Sequence, residues 1–147
     1  MVKISAFKAI RPSRDKVSLV ASRSYLSYSE ETIKEKLDHN PYTFLHIINP
    51  DYKQKNKKKG TKKYLKIKEK LNEFVDEKIL IKDKEDCYYI YQQRNKSNTF
   101  TGIIGAVAIK DYIDGNIKKH ELTLKKREEM FCNYLKITGF NSEPVLL

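Results

Sequence analysis

The stretch Asp114-Gly115-Asn116-Ile117-Lys118-Lys119-His120-Glu121-Leu122-Thr123 carries the densest chemistry in the chain. Its last six residues hold two ammonium groups, an imidazole, a carboxylate and a hydroxyl. Lys118 and Lys119 can hold phosphate oxygens, and Glu121 can accept a proton beside His120. Thr123 can cap a helix or touch a phosphate at the helix N-terminus. The run falls between an expected strand and an expected helix, where α+β enzymes place site residues. A plainer arrangement uses the same residues: Thr123 as an N-cap, His120 and Glu121 as a surface pair, and the lysines in water. Spacing alone leaves both open.

Other signatures fail. His120-Glu121 begins like a zinc-protease helix, but position 124 is Leu where the second His belongs. Gly60-Thr61-Lys62 lacks the earlier glycine of a phosphate loop, and neither Gly-x-Gly-x-x-Gly nor Gly-x-Ser-x-Gly occurs. His39, His46 and His120 are too widely spaced to specify a metal site, so none is expected. His46, in an apolar run, reads as a satisfied core histidine. Cys87 and Cys132 make no Cys-x-x-Cys pair and read as small core residues.

The elements that must position these residues are read from periodicity. Val2 to Ile10 predicts a strand ended by Pro12. Ser13 to Leu26 has no strong pattern. Ser27-Tyr28-Ser29-Glu30 fits a capping box opening a helix through Leu37, closed at Asn40-Pro41. Thr43 to Ile48 predicts a short buried strand. Residues 51–63 form a Lys-rich flexible loop, and Tyr64, Ile67, Leu71, Phe74, Val75 and Lys78 mark an amphipathic helix. Leu80-Ile81, Cys87 to Gln93 and Phe100 to Ile109 predict strands separated by turns at 83–86 and 95–98. Gly102 and Gly105 inside the last strand suggest close packing. Leu124, Phe131, Tyr134, Leu135 and Ile137 mark a last helix ended by Gly139. Strands and helices mix without a regular alternation, which predicts an α+β domain with a mixed, largely antiparallel sheet and three or so helices. One domain spanning 1–147 is expected.

Charge is the unusual term. Thirty Lys and Arg against 19 Asp and Glu give +11, and 25 of those cations are Lys. A basic surface attracts phosphate, although specific readers of phosphate favour the planar fork of Arg. The run Lys53 to Lys70 holds ten lysines and one acid, Glu69, with thin aromatic interleaving. It reads either as a solvated face or as a nucleic-acid or acidic-lipid patch. No apolar run approaches the about 20 residues of a membrane span, and no signal peptide is expected at the start. A cytoplasmic protein without membrane partners is expected.

Four blocks then occur in order: Ala6-Phe7-Lys8-Ala9-Ile10-Arg11-Pro12; Asn40-Pro41-Tyr42-Thr43-Phe44-Leu45-His46-Ile47; Asp111-Tyr112 with Gly115-x-Ile117-Lys118-x-His120-Glu121-x-Thr123; and Thr138-Gly139-x-Asn141-x-Glu143-Pro144-Val145. Together they resemble the N-terminal part of the family catalogued as domain of unknown function 1015. The resemblance implies an incomplete ParB/sulfiredoxin-like fold, akin to kinases acting on free serine. It also implies nucleotide-dependent phosphoryl transfer on serine or phosphoserine, with ADP or ATP and Mg as cofactors. Glu121 and His120 would then be catalytic, and Arg11, Lys118, Lys119 and Thr123 would bind phosphate. A ParB-like, non-catalytic nucleic-acid or nucleotide-binding module is the alternative. Family members commonly continue into Asp-Gly-His-His-Arg, so this chain is expected to be a truncated portion that is inactive in isolation. Where the family commonly has Ser-Pro-Pro-Tyr-Asp, this chain has Ser22-Arg23-Ser24-Tyr25-Leu26, without the Asp.

Overall fold

A computed structural model describes residues 2–23, 27–118 and 124–142. In chain order the elements are β1 (Ile4–Ser5), β2 (Ile10–Pro12), a 3-10 turn (Arg14–Lys16), α1 (Val17–Val20), α2 (Glu30–His39), α3 (Leu45–Ile48) and α4 (Thr61–Asp76). Then come β3 (Leu80–Lys82), β4 (Tyr89–Arg94), β5 (Thr99–Ile104), β6 (Ala106–Val107), α5 (Ile109–Ile113) and α6 (Lys125–Thr138). The class is α+β, as the mixture of patterns predicts. The sheet is not one layer, however: the strands form three separate pairs, β1 with β6, β2 with β3 and β4 with β5. The described residues contain six α-helices, against the three or so expected, because the three short ones have too few turns to show a period.

The chain divides into two compact units, one of residues 1–10, 82–124 and 143–147, the other of 11–81 and 125–142. We call the second the helical unit. Its core gathers Val20, Ile47, Ile67, Leu71, Phe74, Ile79 and Leu80, with Tyr64 and Tyr134 packed against it. The stripe Ile67, Leu71, Phe74 falls on one face of α4 at helical spacing and is wholly buried. Gly60 opens α4 with φ 57°, a conformation that costs glycine little. The helix therefore begins at Thr61, inside the expected loop, and Lys78, expected on its stripe, lies past its end with φ 56°.

Thr43 to Ile48 is a turn and the short helix α3, not a strand. Leu45 and Ile47 are fully buried as expected, but so short an apolar run is equally compatible with a helical turn. Asn40 decides it. Its Oδ1 accepts from the Tyr42 N–H at 3.0 Å, and its Nδ2 donates to the Leu19 carbonyl at 2.7 Å. The Phe44 N–H donates to the Val20 carbonyl at 3.0 Å, so the turn is pinned to α1. Asn40 also ends α2 in an extended conformation, as the residue before Pro must. The cap of α2 is Ser29, whose Oγ accepts from the Thr32 N–H at 3.2 Å, two residues beyond the expected Ser27.

In the other unit, β4 and β5 form an antiparallel ribbon in which Ile90 faces Ile103 and Tyr91 faces Gly102. The Tyr89 hydroxyl accepts from the Ala9 N–H at 2.9 Å and lies 2.7 Å from Asp83 Oδ2, holding the N-terminal segment against β4. Burial raises the pKa of Tyr89 above the usual phenol value, and Asp83 adds to the rise. The expected strand from Phe100 to Ile109 breaks at Gly105 and turns into α5 at Ile109. Gly105 is the close approach: a methyl there would collide with Ile4 Cγ2 and sit 3.3 Å from the Ser5 carbonyl. Gly102, by contrast, has open space around it. Cys87 and Cys132, expected in the core, are both exposed. Cys87 lies beyond the ribbon in a single bridge to Phe7, and Cys132 lies on an outer face of α6.

Candidate functional site

The run singled out by its chemistry is entered through a turn whose backbone is closely held. Asp114 N–H donates to the Lys110 carbonyl at 2.8 Å and ends α5, and Gly115 reverses the chain with φ 75°. Asp111 then ties the turn down from three sides. Its Oδ1 accepts from Asn116 Nδ2 at 3.0 Å, its Oδ2 accepts from the Lys3 N–H at 3.2 Å, and its carbonyl accepts from the Ile117 N–H at 3.2 Å. The Asn116 amide, with the Lys3 N–H second, holds the Asp111 carboxyl below the usual carboxylate range. Lys118 follows directly and is exposed.

Of the expected site residues, Arg11 and Lys118 are described. Arg11 lies in β2 and belongs to the helical unit, whereas Lys118 belongs to the other. Lys119, His120, Glu121 and Thr123 lie outside the described residues. An element intervenes that periodicity does not reveal: α5 stands between the β-ribbon and the run, so the run does not follow a strand directly.

The lysine run is less free than its composition suggests. Asp51, at its start, is buried, with 6% of its surface exposed. Its carboxylate takes a hydrogen bond from Lys66 Nζ and another from the Lys58 N–H at 3.1 Å, which closes 51–58 into a loop against α4. These bonds, Lys66 first, hold the Asp51 carboxyl below its ordinary range. Lys70 pairs with Glu73 at 2.5 Å.

His46 is half-buried rather than a core residue, and it lies in α3. Because the Asn40 carbonyl can only accept, the ring Nε2–H donates to it at 3.0 Å. The ring also packs edge-on to Tyr52 with centroids 5.3 Å apart. Burial, then the ammonium groups of Lys70 and Lys53, keeps His46 below its usual pKa. The ring lines an open hollow of about 250 Å³ with Asp38, Tyr52, Lys53 and Lys70. Its bonds are those of a structural histidine.

Pattern reading places Asn40 at a helix end but shows none of the bonds made by Asp111, Asn40 and Asp51. Each acts by bonding backbone or side chains distant along the chain. The one local signal was Asx chemistry next to Gly or Pro, as in Asn40-Pro41 and Asp114-Gly115-Asn116. Among the described residues, no three His, Cys, Asp or Glu side chains gather into a group that could hold a metal ion. No helix of the described residues is long and apolar enough to cross a membrane.

A two-unit α+β chain with a clamped, cation-bearing turn is thus the class that fold and site define. The chain belongs to the DUF1015 family, described as protein of unknown function, whose model matches residues 4–147. No curated protein and no solved structure matches it. Two of the family-like blocks now have physical roles: Asn40 to Ile47 is the pinned turn into α3, and Asp111 to Lys118 is the clamped turn.

Proposed function

We propose that this chain takes part in nucleotide-dependent phosphoryl transfer on serine, phosphoserine or a similar small molecule, in the cytoplasm. The observation that supports this reading is the Asp111 clamp. A phosphate site needs donors fixed before the ligand arrives, and a turn held at Asn116, Ile117 and Lys3 fixes the approach to Lys118. The choice of serine rests on the resemblance to free-serine kinases, not on the geometry.

In this reading Lys118, Lys119 and Thr123 hold phosphate oxygens, and His120 adds a further donor. Glu121 orients the serine hydroxyl and takes its proton as that oxygen bonds to the terminal phosphorus of ATP. The bond to the bridging oxygen breaks, ADP leaves, and phosphoserine remains. Mg2+, entering with the nucleotide, would supply charge neutralisation, and Asp111 serves the turn through Asn116 and Lys3.

The test is phosphorus NMR of the chain, and of any longer reading frame that contains it, with phosphoserine and ADP. Growth of ATP resonances with loss of phosphoserine, abolished by Glu121→Gln, is the expected result. Silence in both proteins, with no phosphoserine formed from serine and ATP, overturns the reading. The alternative is a ParB-like binding module working through the Lys53 to Lys70 run, in which Lys66 and Lys70 pair with Asp51 and Glu73.

A further inference from the structure

The β4–β5 ribbon is not used by the phosphoryl-transfer reading, and its two faces differ. Side chains alternate along each strand, and directly opposed residues share a face. Ile90 with Ile103 and Gln92 with Thr101 occupy one face, where Gln92 Nε2 donates to Thr101 Oγ1 at 3.3 Å. Tyr91, Gln93 and Phe100 occupy the other, with Gly102 opposite Tyr91. Tyr91 and Phe100 are 55% and 60% exposed, far more than aromatic rings in a folded core. Gly102 adds no bulk between them, and the space above it is open. Two rings thus stand diagonally on an uncrowded sheet face.

The charge around them has one sign. From Cys87 to Lys110 the chain has no Asp or Glu, and its only charges are Arg94, Lys96 and Lys110. Lys96 sits in the turn 95–98 at the ribbon's tip, and Arg94 ends β4 on the face of Ile90 and Gln92. Gln93 shares the face with the two rings and pairs across from Phe100.

We propose that the aromatic face of this ribbon, Tyr91 and Phe100 with Lys96 in the turn at its tip, binds single-stranded nucleic acid. Unpaired bases stack on exposed rings whatever their identity, and neighbouring cations take the backbone phosphates. An acid-free segment in a chain of charge +11 meets a polyanion without repulsion. An apolar protein partner would be expected on the other face, over Ile90 and Ile103, where no charge but Arg94 interrupts the stripe.

The chain has no tryptophan, so Phe100→Trp places a single reporter on the face. Oligothymidylate should quench its emission and raise the anisotropy of a labelled oligonucleotide. Tyr91→Ala with Phe100→Ala should weaken binding about tenfold or more while leaving the circular dichroism spectrum and the salt dependence unchanged. Lys96→Gln should flatten the salt dependence instead, and Arg94→Gln, on the other face, should change it less. Emission unmoved by saturating oligothymidylate overturns the proposal. So does binding that survives the double alanine variant but is lost on neutralising Lys57, Lys58 and Lys59. A concentration-dependent dimer that shields the Trp without any oligonucleotide also overturns it, and assigns the ribbon to a second copy of the chain.

Discussion

The helical unit and the ribbon-bearing unit bury their apolar residues very differently. Every buried hydrophobic of the described chain, from Val20 to Leu80, belongs to the helical unit. Among the described residues the other unit contributes none, yet it holds Ile90, Ile103, Ile109 and Ile113, each more than 70% exposed. Burial of a large apolar side chain contributes about 1.5–3 kcal/mol, so stability is concentrated in one unit. The other is held by hydrogen bonds such as those of Tyr89 and Asp111, and its apolar surface is turned outward. Surface of that kind is a feature of binding regions. One unit holds the buried core, and the other leaves large apolar side chains exposed.

The sharpest way to break this contrast is a pair of truncations. Phe74→Ala empties a site that is 2% exposed and should cost about 3–5 kcal/mol in denaturant unfolding. Ile90→Ala, at 79% exposure, should cost about 0.5 kcal/mol or less. Equal losses would erase the distinction. Next in size is Asp51→Asn, which removes the charge that binds Lys66 and should cost about 1–3 kcal/mol. It should also speed proteolysis within 51–58, measured by limited digestion.

A smaller effect comes with acid. The His46 pKa is lowered in the fold, so below the ordinary value of 6.5 the unfolded chain takes up a proton that the folded chain resists. Stability present above 6.5 is lost progressively as pH falls below it. The Asp51 carboxyl is also lowered, and its contribution is lost only below about 3.8. The melting temperature should therefore fall in two stages on acidification, and His46→Gln should remove the first. The same profile for wild type and variant would contradict the role given to His46.

Long helices were legible in the sequence because their stripes repeat: Ile67, Leu71 and Phe74 specify α4, and Gly139 marks the end of α6 with φ 74°. The ribbon was legible from its β-rich runs and the turn 95–98 between them. Short elements were not, since α3 and a buried strand share the same apolar composition, and the bonds of Asn40 decide between them. Cys87 and Cys132 are exposed against expectation for a related reason: apolar neighbours along the chain do not say which face is covered. At the candidate site the residue types of the 118–123 run were visible at once. The clamp that leads into it was not, because Asp111 reaches Lys3 across 108 positions of sequence.

Amide hydrogen exchange of the full chain, with and without ATP, tests the central claim most directly. Slow exchange should be confined to α4 and the core strands and helices around it, with fast exchange along β4 and β5. ATP should slow exchange over 111–118 and leave 51–70 unchanged. Uniform protection across both units, or ATP protection confined to the lysine run, would contradict the account.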